Sequence, residues 1–404
     1  MINKEMYELG VKPSAIRNLF EYGKKRKAEI GEENVYDFSL GNPNVPAPSI
    51  VNETIVKLVN EVKPEILHGY TSAVGDYNVR EAIASFINKK YNTNELSSLI
   101  YMTVGAAASL TISLNAILNE GDEVIVFTPY FPEYKVFIEK AKGKVVEVKT
   151  NEFFKPDLKL LEENINSNTK AIIINYPNNP TGVVLNEDEL VMLTNFLKEK
   201  EKQYNHNIYL ISDEPYRELV YDNIEVPYVT KYYNNTIVCY SFSKSLSLPG
   251  ERIGYILVGS NCINSKDVYY AISGAGRSLG YVCAPALFQY LVPYCLGKTS
   301  NIDIYKQNKD ILYNALTSYG YEVIKPEGAF YLFVKALDKD ASKFCEYAKK
   351  YELLLVPSDS FGCSGYIRIS YCVSQDMIKR SLSSFEKLIN DCKENMKYEW
   401  FKRY

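Results

Sequence analysis

Residues Leu99–Phe131 read LIYMTVGAAASLTISLNAILNEGDEVIVFTPYF. The run Leu99–Val104 is short, apolar and stopped by Gly105, which predicts a buried strand. Small residues then open an apolar periodic stretch that ends at the turn signal Gly121–Asp122, and EVIVFT resumes as a second strand. Two parallel strands need a crossover, and the intervening helix supplies it. Further short strands are expected at KAIIINY, IYLISDE, TIVCYSF and GYILVGS, with helical stretches such as NEDELVMLTNFLKEKEKQY between several of them. Strands that are apolar throughout are covered on both faces. The fold class expected is α/β, a mostly parallel sheet sandwiched by helices.

Near Ile302 the chain changes character. A long helix (IYKQNKDILYNALTSYG), two strand pairs around GAFYLFVK and GYIRISYC, and a closing helix (MIKRSLSSFEKLINDCKENM) suggest a smaller α+β unit. At the other end, SAIRNLFEYGKKRKAEI reads as a helix with Ser14 as its N-cap, and VYDFSLGNPNVPAP as a short strand breaking into a Gly/Pro turn. The expected organisation is a large domain over residues 49–300 and a small domain built from 1–48 and 301–404.

Bulk properties exclude several function classes. With 404 residues, 46% hydrophobic, 24% charged and a net charge of −3, the composition is that of a soluble globular protein of two domains. It lacks the basic excess of a nucleic-acid binder, and Lys24–Lys25–Arg26–Lys27 sits in a helical pattern as a solvated face. No apolar stretch approaches the about 18 residues of a membrane span, and MINKEMYELGVKPSAIR has no apolar secretory core, so a cytoplasmic protein is expected. Eight cysteines without a C-x-x-C pair, beside only two histidines, read as free thiols and not as a metal site.

Polar groups gather at the predicted strand ends, where parallel sheets bind ligands. Gly105–Ala107 would start a helix with bare backbone N–H groups, an anion site in form, although many helices begin so. Tyr176–Gly182 (YPNNPTG) is a rigid turn carrying two amides. Asp213 ends a buried strand, where an acid is costly unless a cation or donor awaits it. Beyond TIVCY, Lys244 stands between Ser243 and Ser245, with Ser241 before it and Arg252 eight residues after it. Each feature alone has a bland reading; Lys244 could be a loop charge. Together they fit a planar cationic heterocycle bearing a phosphate and an aldehyde.

These residues carry a family resemblance. TVGAAASL, PYFPEY, NYPNNPTG, SDEPY, SFSKSLSLPGERIGY, PEGAFYLF and YIRISY occur in that order, with HGYTSAVGDYNVREAIASF upstream. In them the chain resembles the class I/II aminotransferases, pyridoxal-phosphate enzymes of fold type I. The resemblance implies that Lys244 forms the Schiff base with the cofactor aldehyde and later acts as base, that Asp213 pairs with the pyridine nitrogen, and that Asn179 and Tyr216 bond the phenolic oxygen. Ser241, Ser243, Arg252 and the backbone at Gly105, Ala106 and Ala107 would hold the phosphate. Many family members place a hydroxyl or amide side chain at Ala106 or Ala107, so contacts there are expected from backbone alone. Phe131 would stack on the ring, although composition makes Tyr130 an equal choice. Tyr70 would reach the phosphate of a neighbouring subunit, which implies a homodimer with shared active sites. Arg368 would bind the substrate α-carboxylate beside Gly41 and Asn179, its planar fork suited to the task.

Two residues stay open between function and packing. Arg277 reaches a side-chain carboxylate of a dicarboxylic substrate or is a surface arginine, and Ile16 lines the pocket or packs. The implied activity is an exchange of an amino group between an L-amino acid and a 2-oxo acid, with aspartate and 2-oxoglutarate leading. A β-lyase of the same fold, acting on cysteine conjugates, is the alternative within enzymes. A cofactor-binding sensor attached to a DNA-binding segment is disfavoured, since one helix alone is expected before Tyr36.

Overall fold

The computed structural model describes residues 2–11 and 15–402. The proposed N-cap Ser14 lies outside the described residues. A two-residue strand, β1 (Tyr36–Asp37), precedes the main sheet, formed by β2 (Ile100–Thr103), β3 (Glu123–Thr128), β4 (Lys144–Lys149), β5 (Thr169–Ile174), β6 (Tyr209–Glu214), β7 (Thr236–Ser241) and β8 (Gly254–Val258). Five short strands follow, β9 (Val323–Ile324), β10 (Tyr331–Lys335), β11 (Leu353–Leu354), β12 (Val356–Pro357) and β13 (Tyr366–Ser370).

The seven-stranded sheet has the order β2-β8-β7-β6-β5-β3-β4. Only β8 runs against its neighbours, pairing antiparallel with β2 and β7; the register of the latter sets Ser241 opposite Gly254. Successive side chains point to opposite faces, and both faces are covered. Val124 and Val126 join one apolar layer, under the helices Ala106–Ile117 and Ser265–Leu279, while Ile125 and Phe127 join another, under Glu187–Tyr204. Each fully buried isoleucine of these strands contributes about 1.5–3 kcal/mol, and Ile125, Ile172 and Ile211 are 0% exposed.

The smaller sheet, β12-β13-β10-β9, is antiparallel. Leu332, Val334 and Ile369 pack there with Leu312 and Leu316 of the helix Ile302–Tyr319 and with Phe385 and Leu388 of the helix Gln375–Lys402. Strands β1 and β11 pair in parallel, tying the N-terminal segment to this layer.

Three features depart from the sequence expectation. Strand β4 was not anticipated, because it is a sheet edge whose Lys144, Glu147 and Lys149 face solvent and break up its apolar signal. A helix at Lys4–Val11 with no buried residue precedes the expected one at Ala15–Ile30. The run Phe242–Ser245 is one helical turn. Among the described residues no helix is long and apolar enough to cross a membrane.

Candidate active site

The carboxyl ends of β2, β3, β5, β6 and β7 meet one rim. Several helices here are capped by a side chain: Asp76, Asp157, Asn301 and Asp340 accept from their first turns, and Asn186 forms a capping box with Glu189. The helix Ala106–Ile117 is different. Its N-cap is Gly105, at φ 96°, without a side-chain cap, so its first N–H groups stay available at the rim with the positive end of the helix dipole. An added Cβ at Gly105 would lie 2.9 Å from an Arg252 guanidinium nitrogen. That clearance is what lets the arginine close over the helix start.

From β7 the chain turns into the helical turn that carries Lys244. Ser241 accepts from the backbone N–H of Ser243 at 3.2 Å, and their hydroxyls bond at 2.8 Å. The Lys244 ammonium donates to the Gly41 carbonyl at 2.6 Å. Burial, with a small contribution from Arg368 and Arg252, brings its pKa down to about 8. Across the cleft, Asp213 is 5% exposed. Burial pushes its pKa up to about 7 against the opposing pull of a hydrogen bond from Tyr134. That bond is 2.5 Å long and falls on Oδ2; Oδ1 is buried without a partner among the described residues.

Arg368 projects from β13 into the same space. Its Nη1 donates to the Asn179 amide oxygen at 3.1 Å and its Nη2 to the Ser39 carbonyl at 2.6 Å, leaving Nε buried and unpartnered among the described residues. Tyr216 donates to or accepts from Tyr331 at 2.8 Å, and burial holds its phenol well above the usual pKa.

One cleft of about 300 Å³ gathers Gly41, Ala106, Ala107, Phe131, Asn179, Asp213, Tyr216, Ser241, Ser243, Lys244, Arg252 and Arg368, with Ile16 at its wall. Three cations face one carboxylate, a field suited to anionic ligands. Gly105 stands behind Arg252. Two residues are elsewhere. Tyr70 is 97% exposed and lies against a different groove, with His68 and Cys283, and Arg277 is exposed near the end of the helix Ser265–Leu279.

The family model for aminotransferase class I and II matches residues 33–385. The chain belongs to the class I and II aminotransferases. A crystal structure of an amino transferase from Eubacterium rectale superposes with a TM-score of 0.95 at 54% identity, covering 97% of this chain and 99% of that one. The chain is similar to the aspartate aminotransferase of Thermotoga maritima, 33% identical over 385 residues and covering 93% of this chain and 97% of that protein. It is also similar to a probable N-acetyl-LL-diaminopimelate aminotransferase of Bacillus subtilis, 31% identical over 378 residues, covering 90% and 91%.

Sequence reasoning left out three residues of this aminotransferase's cleft region. Asn175, just past β5, donates to the Asp213 carbonyl at 2.9 Å and accepts from the Asn179 N–H at 2.9 Å. Its place in IIIN, at a strand end, was a usable signal. Tyr331 sits beneath the Arg368 guanidinium, 4.7 Å from ring centre to Cζ, and a Cβ at Gly41 would overlap its hydroxyl. Tyr134 reads in sequence as a core aromatic.

Proposed function

We propose that this aminotransferase carries pyridoxal 5'-phosphate in the cleft and passes an amino group from an L-amino acid to a 2-oxo acid, with aspartate and 2-oxoglutarate as the pair. The observation that carries the reading is the single cleft shared by Lys244, Asp213, Arg252 and Arg368. The residues fit the cofactor: a buried carboxylate oxygen has no partner, an uncapped helix start faces an arginine, and a buried amine has a lowered pKa. When bound, the cofactor supplies an aldehyde for amine exchange and a cationic ring that takes up the electron pair left at the substrate Cα.

This chain's residues do the rest. The free-amine form of Lys244 is accessible near neutral pH, so it can act as nucleophile and then accept the Cα proton. Asp213 would pair with the ring nitrogen through Oδ1, its charge keeping that nitrogen protonated. Backbone N–H groups of Ala106 and Ala107, the hydroxyls of Ser241 and Ser243, and Arg252 bind the phosphate. Phe131 would stack on the cofactor ring, and Tyr216 and Asn179 would bond its phenolic oxygen. Arg368 orients the α-carboxylate beside Gly41 and Asn179, which aims the Cα–H bond at Lys244. In this reading residues 49–300 hold the cofactor, and segments 1–48 and 301–404 supply the substrate wall through Ile16, Gly41 and Arg368.

A homodimer is part of the proposal. Tyr70 is 97% exposed, and Val56, Val59, Ile66, Tyr281, Val282 and Tyr294 are each at least 39% exposed; large apolar side chains left in solvent are the kind that partners cover. The eight cysteines are free, which suits the cytoplasm. The aspartate assignment follows the name of the Thermotoga relative.

The test is spectroscopic. Loaded protein should absorb at about 420 nm, aspartate should bleach the band, and 2-oxoglutarate should restore it. Lys244→Ala should show neither band nor turnover; turnover at the parent's rate would refute the assignment. Pyruvate and thiol from cystathionine, without transfer to 2-oxoglutarate, would assign the β-lyase instead.

A further inference from the structure

Asp213 is held in an unusual way. No arginine, lysine or histidine bonds its carboxylate among the described residues; the side-chain donors it has are the Tyr134 hydroxyl at 2.5 Å and the Asn175 amide at 3.5 Å, both on Oδ2. Tyr134 is 2% exposed, in the first turn of the helix Glu133–Lys140, its ring edge-on to Phe131 at 5.7 Å. A buried tyrosine hydroxyl needs a partner, but a backbone carbonyl would serve. Here it meets the one buried carboxylate of the cleft, and the other carboxylate oxygen is left without a bond.

We propose that Tyr134 is a positioning residue of this enzyme: its hydroxyl fixes the Asp213 carboxylate by one oxygen, stabilises its charged form, and leaves Oδ1 for the ring nitrogen of the cofactor. The inference rests on the pyridoxal-phosphate reading above. A hydrogen bond to the ionised form of an acid favours that form, and here it works against a burial that pushes the acid up. The titratable groups around the pair leave Tyr134 this task. Tyr216 and Cys239 face it, and burial raises both, so they are neutral near pH 7. Glu214, beside Asp213 on β6, is paired to Arg217 and opposes ionisation of its neighbour. Burial also raises Tyr134 itself, so it remains a donor.

Pyridoxal phosphate is titrated into the full chain freed of cofactor, as a function of pH. The parent's affinity is expected to rise as Asp213 ionises, near pH 7. In Tyr134→Phe the rise should move up by about one pH unit, with affinity at neutral pH about tenfold weaker. Tyr130→Phe, which takes the neighbouring hydroxyl from Glu147, should leave the rise in place. A Tyr134→Phe profile that superposes on the parent's, even with a lower melting temperature, would overturn the assignment, as would an equal displacement in Tyr130→Phe. Should Tyr134→Phe not accumulate as folded protein, Tyr134→His keeps a ring N–H donor and should keep the parent's profile; a displaced rise there would overturn it. A parent chain that takes up no pyridoxal phosphate at any pH would refute the cofactor reading itself.

Discussion

The hydroxyls of Tyr216 and Tyr331 bond to each other at 2.8 Å, across 115 positions of sequence, with Arg368 lying over the Tyr331 ring. The bond joins the loop after β6 to the start of β10, so it couples the two sheets at the cleft. Tyr331→Phe leaves the ring under Arg368 and removes only the oxygen. The cofactor-free protein should lose about 1 kcal/mol of stability in urea unfolding, the net worth of a buried neutral hydrogen bond, and turnover should fall several-fold while the substrate KM changes little.

Arg368→Lys keeps the charge and gives up the fork. The planar guanidinium now spans Asn179 and Ser39, and a single ammonium cannot bond two carboxylate oxygens in parallel. The KM for the amino acid should rise about 10–100-fold. The cofactor band should be unchanged, which steady-state kinetics and absorbance on the same sample will show.

Gly105→Ala meets two obstacles at once. The position has φ +96°, and its new Cβ would press on the Arg252 guanidinium at 2.9 Å. Cofactor affinity should drop about tenfold and stability by about 1–2 kcal/mol, read by pyridoxal-phosphate titration and thermal melting.

Asp213 sets a pH dependence that runs opposite to the usual acid. Its folded pKa of about 7 exceeds the ordinary 3.8 because burial disfavours the charge. Between those values the folded chain holds a proton that the unfolded chain has released, so this group's contribution falls as pH rises from 3.8 to about 7 and stays low above. Cofactor-free Asp213→Asn should therefore be more stable than the parent at pH 8, by about 2–4 kcal/mol, and the gain should vanish toward pH 4. The same variant should bind pyridoxal phosphate more weakly, since a neutral amide cannot hold the ring proton by charge. Denaturant melts of both proteins at the two pH values check the sign.

The sequence displayed what lies along a strand or at its end. Lys244, Asp213, Asn179 and Arg368 each follow or occupy a short apolar run, and the cleft brings them together. It did not display what depends on separate segments meeting. Tyr134 reaches Asp213 across 79 positions, and nothing in PYFPEY separates that tyrosine from an ordinary core aromatic. The direction of β8 was equally hidden, because an apolar five-residue run looks the same whichever way it lies in a sheet. The edge strand β4 was lost for the opposite reason, its solvent-facing charges resembling a loop.

The reversed direction of β8 also explains the interval between Lys244 and Arg252. Ser241 and Gly254 are cross-strand partners, so everything between them is one closed hairpin loop, anchored at both feet by the ladder. The interval is thus a length dictated by how far that loop must travel to bring Arg252 back over the helix start at Gly105, in the cleft that Lys244 already lines. Shortening Leu246–Glu251 by a single residue would spare the sheet and the turn that carries Lys244 and mis-aim Arg252.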